Sequence, residues 1–405
     1  MSWFVPGRIE VLGKHVDYAG GRSLLVATEQ GVTATATDLL TARPGTIEAH
    51  STLSRDAVTV VAGEGLDLPS GHWGRYVQTV VDRLTQNFGE LKAAAVEVDS
   101  TLPLASGMSS SSALVVAVAL ALADHNDLWE LPQWRQSLED RLDLAGYAAA
   151  IENGADFKAL KGSSGVGTFG GSQDHAAMLN CISEYLTPIT YFPLAAHEPV
   201  PVPDGWTFAV AVSGVLAEKT GAALHSYNDV SLRVTELVDV WNRAHDSNCL
   251  TLAQVIDQSE NAAEELGQLL LDDPELAKRP DLMERLLAYL VETGEVIPVA
   301  EAALQVGDVE AFGAAVDLSH QNADQNLHNQ IDETNALQRI ARDLGAAAAS
   351  AFGAGFGGSV WALIPKDGAQ EWADNWLETY LERFPDNGAR ASVLITGAGE
   401  SAHRI

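Results

Sequence analysis

Two features are scarce in this sequence of 405 residues: cysteine and long uninterrupted apolar segments. Cys181 and Cys249 are the only cysteines and form no CxxC pair, so the sequence predicts neither a disulfide framework nor a zinc knuckle. No apolar run approaches the roughly 18 residues of a membrane helix, and the first residues lack the basic and apolar regions of a signal peptide. We therefore expect a cytoplasmic protein with no membrane partner.

Positive charge is also scarce. The chain has 24 basic and 55 acidic residues, which gives a net charge of −31, and lysine supplies only 7 of the basic residues. Nucleic acids and anionic membrane surfaces bind basic patches that neutralise phosphate, so neither is expected as a partner. Two explanations of the acidic surface stay open, a saline habitat in which charge repulsion is screened, and simple drift.

Hydrophobic periodicity predicts an α+β protein with mixed sheets rather than a regular alternation of strands and helices. The predicted strands are 4–12, 22–36, 50–62, 93–98, 206–212, 359–364 and a last one within 385–395. The predicted helices are 72–88, 110–124, one or two within 132–152, then 227–245, 250–271, 280–302, 308–322 and 335–349. A proline-rich segment near residue 200 separates an N-terminal domain, residues 1–200, from a C-terminal domain, residues 201–405.

The segment Pro103–Ala113, PLASGMSSSSA, has the composition of an anion-binding loop. Gly107 and a run of serines lead directly into an apolar helix, whose free N–H groups and dipole favour a negative charge. Gly107 would let the backbone approach a phosphate, and a serine hydroxyl can bind Mg²⁺. The segment is not a P-loop, because no lysine ends it. The alternative is a serine-rich N-cap of a core helix.

Two further loops are rich in glycine. Gly353–Ser359, GAGFGGS, permits positive φ and close backbone approach, either to a ligand or within a crowded core. Gly170–His175, GGSQDH, contains an aspartate that alone would be typical of a turn. The N-terminal stretch Pro6–Gly21, PGRIEVLGKHVDYAGG, has more polar chemistry than an ordinary first strand.

Taken in order, these four segments resemble the signatures of the galactokinase branch of the GHMP small-molecule kinases. Pro6–Gly21 resembles the opening signature PGRVNLIGEHTDYNGG, Pro103–Ala113 the second, phosphate-binding motif, and Gly353–Ser359 the third motif. Asp174 matches the aspartate of the G-x-M-D-Q motif. Weaker similarities lie at Trp73–Tyr76, Ser213–Val215, Tyr227–Asn228, Phe312–Gly313 and Ser319–His320.

The resemblance implies a two-domain GHMP kinase fold with the active site in the cleft between the domains. It further implies an ATP-dependent sugar 1-kinase that uses Mg²⁺ and phosphorylates the anomeric hydroxyl, with galactose as the default substrate. Sugar and ATP would be its small-molecule ligands, and we expect a monomer.

The resemblance also implies roles for individual residues. Asp174 would be the catalytic base, and Arg8 would hold Asp174 ionised and stabilise charge on the transferred phosphoryl group. Ser111 and Glu152 would hold Mg²⁺, although Glu152 could instead be an exposed carboxylate at a helix end. The implied sugar-binding residues are Lys14, His15, Asp17, Gly171 and Tyr227. The implied ATP-binding residues are Gly107, Met108, Ser109, Ser110, Ser111, Ser112 and Gly355.

The most informative departure from the family pattern is Lys14. Galactokinases have a glutamate there that reaches the outer hydroxyls of the sugar, whereas a lysine only donates hydrogen bonds and has the opposite charge. Lys14 could contact a hydroxyl, pair with Glu10 or Asp17, or bind the carboxylate of a uronic acid such as galacturonate. Glu10 and Ala19 replace signature asparagines, and His175 replaces a glutamine.

Other functions stay open beside a galactokinase. They are a uronic-acid kinase, another GHMP kinase acting on GalNAc, arabinose or mevalonate, and a catalytically silent sensor that binds sugar and ATP. The D-Y-x-G-G signature argues against mevalonate. Retention of Arg8, Asp174 and the glycine–serine loop favours an enzyme over a sensor.

Overall fold

The computed structural model describes residues 1–54, 56–69, 71–103, 106–167, 170–215 and 222–405, without the side chains of residues 222–227. Its strands are β1 Ser2–Leu12, β2 Arg22–Asp38, β3 Thr46–Ser51, β4 Ala57–Val61, β5 Ala94–Ser100, β6 Tyr185–Tyr191, β7 Leu194–Ala196, β8 Val200–Pro201, β9 Trp206–Val212, β10 Ala348–Phe352, β11 Ser359–Pro365, β12 Ser392–Thr396 and β13 His403–Arg404.

Helices surround and separate these strands. Their bounds are α1 Trp73–Phe88, α2 Ser110–His125, α3 Pro132–Ser137, α4 Arg141–Asn153, α5 Gln173–Asn180, α6 Ala222–His245, α7 Leu252–Ile256, α8 Ala262–Asp272, α9 Pro280–Val291, α10 Ile297–Gln305, α11 Val309–Asn322, α12 Asp332–Asp343 and α13 Ala369–Arg383. Two π-helical turns, Glu292–Val296 and Ala323–Leu327, follow α9 and α11. No helix in the described ranges is long and apolar enough to cross a membrane.

The described strands form two sheets. The larger has the order β13-β1-β2-β5-β3-β4, with β6 paired to β2 and with β7 and β8 paired to β6. Its strand pairs are antiparallel except β3 with β5. The smaller sheet has the order β10-β11-β9-β12 and is antiparallel throughout. The α+β class and the mixed sheets are therefore confirmed.

The sheets divide the chain near the predicted boundary. The strands β1–β8 belong to the larger sheet and β9–β12 to the smaller one, so the change of sheet falls between Pro201 and Trp206. The last strand, β13, returns to pair with β1. The last residues of the chain therefore pack with the N-terminal half, and the domain limits 1–200 and 201–405 stay a prediction.

Local capping positions the elements that carry the candidate site. The α4 helix begins where the Asp140 side chain accepts a hydrogen bond from the Asp143 N–H at 2.8 Å, and it ends before Gly154, whose φ is 83°. This leaves Glu152 near the end of the helix. The α5 helix begins at Gln173, which places Asp174 in its first turn.

Several predicted elements were wrong in their extent. The helix predicted at Leu250–Leu271 is two helices, because α7 ends at Ile256 and α8 begins at Ala262. The strand predicted at His50–Ala62 is the hairpin β3–β4, interrupted where the Ser51 and Ser54 hydroxyls accept hydrogen bonds from N–H groups two residues later. The helix predicted at Asn335–Ala349 ends at Asp343, near Gly345 with φ 88°. Alanine favours helix, but Ala348 and Ala349 pair instead with β11 in the smaller sheet.

Candidate active site

A cavity lies where elements of both sheets meet. The N-terminal half contributes β1 with its following turn, the end of α4 and the start of α5. The loop after β10 contributes from the smaller sheet. The residues that line the cavity are Arg8, Glu10, His15, Asp17, Tyr18, Ala149, Glu152, Asn153, Gly170, Gly171, Gln173, Asp174, His175, Gly353 and Ala354.

An ion pair between Arg8 and Asp174 is the central feature of this cavity. The Arg8 Nε and Nη2 atoms both lie 2.8 Å from Asp174 Oδ1. The guanidinium is 2% exposed, and its Nη1 donates to the Gly107 carbonyl at 2.5 Å. A cation held this closely stabilises the ionised form of the carboxylate. The structure therefore brings together the two residues predicted to be catalytic.

Serine hydroxyls from the second motif complete the surroundings of Asp174. The Ser109 hydroxyl donates to Asp174 Oδ2 at 2.5 Å from a left-handed backbone conformation with φ 56°. Ser112 Oγ lies 3.4 Å from the same oxygen. The loop before α2 thus positions the carboxylate.

The second cavity carboxylate, Glu152, is joined to the first through Ser112. Ser112 Oγ lies 3.2 and 3.0 Å from the two carboxylate oxygens of Glu152, and His175 Nε2 lies 3.3 Å from Oε2. The Glu152 side chain is only 12% exposed, so it is not the exposed carboxylate of the alternative interpretation. The hydroxyl that contacts it is that of Ser112, whereas the prediction named Ser111. The role of Ser111 as an Mg²⁺ ligand stays a prediction.

The signature turn supplies the opposite wall. His15 has φ 55°, and its Nδ1 and Nε2 lie 2.8 Å from the Tyr18 hydroxyl and 3.0 Å from the Ala354 carbonyl. The buried Arg285 donates to the His15 carbonyl at 2.5 Å and stacks over the Tyr18 ring at 5.8 Å. The turn is therefore held from both sides by the C-terminal half of the chain.

Gly171 is required by the close approach of Asp17. A Cβ atom at residue 171 would lie 2.5 Å from Asp17 Oδ2, which is closer than real Cβ contacts. Both residues line the cavity, so the absence of a side chain at Gly171 lets the carboxylate occupy its place there.

Lys14, by contrast, is directed into the protein. Its Nζ donates to Ser319 Oγ at 2.8 Å, and Ser319 in turn contacts both Glu292 carboxylate oxygens at 2.9 Å. Lys14 is 3% exposed and is absent from the described residues that line the cavity. The predicted direct contact of Lys14 with a sugar has no support in this geometry.

Glu10 occupies the cavity side of the same cluster. Gln173 Nε2 donates to Glu10 Oε2 at 2.7 Å, and the side chain is 3% exposed. Burial raises the pKa of Glu10 from 4.5 to about 7, although the positive charges of Lys14 and Arg8 oppose the rise. Burial lowers the pKa of His320 to about 4, and the positive charge of Lys14 is the second cause.

The predicted ATP-binding residues lie in the second and third motifs, which a hydrogen bond joins. Ser110 begins α2, and the Ser359 hydroxyl donates to the Ser106 carbonyl, which joins the second motif to the third. The Met108 side chain is fully buried and belongs to the core. At Gly355 a Cβ would lie 2.4 Å from the Asn329 carbonyl oxygen, so packing alone requires glycine there. ATP contacts by these residues stay predictions.

Some residues of the cavity were not predicted from the sequence, and one predicted side chain lies outside the described residues. Tyr227 belongs to α6, but its side chain is outside the described residues. Sequence reasoning gave no site role to Tyr18, Gln173, Asn153 or His175, which line the cavity. Each is adjacent in sequence to a predicted site residue, and this adjacency was the available signal.

Three family models match the chain. The GHMP kinases N terminal domain matches residues 75–179, the GHMP kinases C terminal domain matches residues 300–382, and the galactokinase galactose-binding signature matches residues 1–37. Together these matches cover more than half of the chain.

Individual relatives extend over nearly the whole sequence. A galactokinase from Thermococcus kodakarensis is 27% identical over 389 residues, with 95% of each chain covered. One from Mycobacterium tuberculosis is 27% identical over 377 residues, with 92% of each chain covered. The crystal structure of Lactococcus lactis galactokinase complexed with galactose has a TM-score of 0.80 at 20% identity, covering 100% of this chain and 95% of that one.

The fold and the site together define a small-molecule kinase with a cleft between two α+β halves. The chain belongs to the GHMP kinase family, within its galactokinase branch. It is a sugar kinase, and ATP is the phosphoryl donor of its family. The predicted family, fold class and enzyme class are therefore confirmed.

Proposed function

We propose that this protein is a galactokinase, which transfers the γ-phosphoryl group of ATP to the anomeric hydroxyl of galactose. The observation that carries the proposal is the Arg8–Asp174 ion pair in the cleft, within reach of the serine-rich start of α2. The galactose-binding signature at residues 1–37 and the galactokinase relatives support galactose as the sugar.

In this proposal Asp174 accepts the proton of the attacking sugar hydroxyl. Arg8 keeps Asp174 ionised before the reaction and places positive charge beside the transferred phosphoryl group. The hydroxyls of Ser109 and Ser112 fix the carboxylate orientation. Phosphoryl transfer depends mainly on positioning and charge neutralisation, so this small set of groups is sufficient.

The oxygen ligands around Ser112 suit Mg²⁺. Glu152 and Asp174 both approach one hydroxyl, which has a single proton to donate, so their remaining oxygen atoms can accept a cation. We propose that Glu152, with a serine of the second motif, holds the ion. Bound there, Mg²⁺ would neutralise phosphate charge. Among the described residues no cluster of three or more His, Cys, Asp or Glu side chains forms a metal site by itself.

The remaining alternatives have less support. A uronic-acid kinase would need a cation in the sugar site, but Lys14 is bound to Ser319 inside the protein. A silent sensor would not require a base and its charge partner to be held at 2.8 Å. We further propose that the enzyme acts as a monomer in the cytoplasm.

In the deciding experiment, the purified protein is incubated with ATP, Mg²⁺ and galactose. ADP release is measured, and the sugar product is identified by ³¹P NMR. We expect galactose 1-phosphate. Asp174→Asn should lower kcat by about 100- to 10,000-fold while ATP binding is retained. Asp367→Asn, at an exposed aspartate, is the matched control and should retain full activity. Absence of turnover by wild type would refute the proposal.

A further inference from the structure

Glu10 and Arg8 occupy equivalent places on the strand that forms the cavity wall. They are two residues apart on β1, and both line the cavity, as expected for the same face of a strand. Opposite them, the consecutive residues Gln173 and Asp174 begin α5. Arg8 pairs with Asp174, and Glu10 pairs with Gln173. The Glu10–Gln173 contact therefore lies next to the Arg8–Asp174 pair, between the same strand and the same helix.

The carboxylate of Glu10 is only half satisfied. Its Oε2 accepts the hydrogen bond from Gln173 at 2.7 Å. Its Oε1 is buried and has no hydrogen-bond partner among the described residues, although the residue borders the cavity. A buried carboxylate oxygen without a donor is energetically unfavourable. The arrangement is explained if a ligand in the cavity supplies the missing donor.

The charges around Glu10 favour an acceptor. Lys14 and Arg8 both stabilise its ionised form, and Lys14 is held on the interior side by Ser319. Above its pKa of about 7 the Glu10 carboxylate is ionised and only accepts hydrogen bonds, and a sugar hydroxyl can donate one. Lys14 thus supplies a countercharge, while Glu10 is the group at the cavity.

We propose that Glu10 is a sugar-binding residue, whose Oε1 accepts a hydrogen bond from a sugar hydroxyl other than the one that receives the phosphoryl group. This assignment rests on the proposed galactokinase function. It places at residue 10 the carboxylate that the lysine at residue 14 cannot supply. The competing explanation is that Glu10 merely neutralises Lys14 in the interior.

The test compares wild type and Glu10→Gln with galactose and with its 2-, 3-, 4- and 6-deoxy analogues. If Gln173 keeps donating to residue 10, the oxygen of the new amide faces Gln173 and its NH₂ group faces the cavity. The NH₂ group cannot accept the hydroxyl proton. Loss of a hydrogen bond to a charged group should lower kcat/KM on galactose by about 10- to 100-fold.

The diagnostic result is non-additivity on one analogue. On the deoxygalactose that lacks the contacted hydroxyl, the kcat/KM of wild type should fall by a similar factor. The kcat/KM of Glu10→Gln should be no lower on that sugar than on galactose. Equal losses on all five sugars, or an unchanged kcat/KM on galactose, would overturn the assignment. Glu10→Asp provides a second variant, which should show the same coupling if Glu10→Gln does not fold.

The same measurements separate this assignment from the proposed function. A wild type that does not phosphorylate galactose would refute both. A wild type that is active on galactose, combined with a uniform penalty in Glu10→Gln, would refute only the role of Glu10.

Discussion

Replacing Glu10 by glutamine should stabilise the protein at alkaline pH, and it should stabilise the protein much less at acidic pH. The reason is that the buried carboxyl has its pKa raised by burial from 4.5 to about 7. In the unfolded chain the group ionises near the lower value. Between these two pKa values the folded state binds more protons than the unfolded state, so stability contributed by the neutral group is lost as pH rises.

The size of the effect follows from the two pKa values. One pKa unit corresponds to about 1.4 kcal/mol, so ionising Glu10 destabilises the fold by on the order of 3 kcal/mol above its folded pKa. Glutamine does not titrate. The free energy of unfolding of Glu10→Gln, relative to wild type, should therefore increase by about 2 to 3 kcal/mol between about pH 5 and about pH 8.

Urea unfolding at both pH values measures this difference. Glu378→Gln, at an exposed position in the middle of α13, is the matched control and should show less than about 0.5 kcal/mol of pH-dependent difference from wild type. If the Glu10→Gln difference does not change with pH, the carboxylate is not destabilised by burial and the reasoning fails. A stabilised variant with impaired galactose turnover would indicate that Glu10 is retained for function.

Three further outcomes are expected. Gly171→Ala should lower kcat/KM at least about 10-fold, because its Cβ would overlap Asp17. The control Gly267→Ala, whose Cβ would lie 3.7 Å from its nearest neighbour, should leave kcat/KM unchanged. Equal activities of the two variants would show that the close approach of Asp17 to residue 171 does not require glycine. Lys14→Glu should destabilise the protein by about 3 to 5 kcal/mol in thermal unfolding, because it buries a second carboxylate beside the buried Glu292, and it should not alter activity on galacturonate. Raising KCl to about 1 M should raise Tm, since salt screens the repulsion of a net charge of −31; a flat or falling Tm would contradict this.

Much of the fold and of the site was predictable because the signals were local. The apolar run after the serine-rich loop produces α2, and alternation before the Gly20–Gly21 turn produces β1. The ion pair of Arg8 with Asp174 could be anticipated only through the family resemblance, because 166 residues separate its partners. Helix ends were less certain where alanine-rich sequence, as at Ala348, is compatible with either structure.

The direction of Lys14 could not be predicted, since it depends on distant residues. Its hydrogen-bond partner, Ser319, is 305 positions away, and that hydroxyl is shared with Glu292, whose carboxylate also accepts the Gly13 N–H at 2.7 Å. The register between β1 and β2 also shifts between Glu10 and Leu12, so a simple alternation of faces does not continue to residue 14.

This geometry changes how the substitutions in the signature are interpreted. Considered alone, a lysine in place of glutamate suggests a different substrate, because its charge is reversed. In the structure the lysine is buried against Ser319, and the carboxylate that borders the cavity belongs to Glu10. The two substitutions are therefore best treated as one exchange, in which a carboxylate at residue 10 replaces the signature asparagine while the lysine replaces the signature glutamate at residue 14. Such an exchange keeps an acceptor in the sugar site, so a change of substrate is not required to explain it.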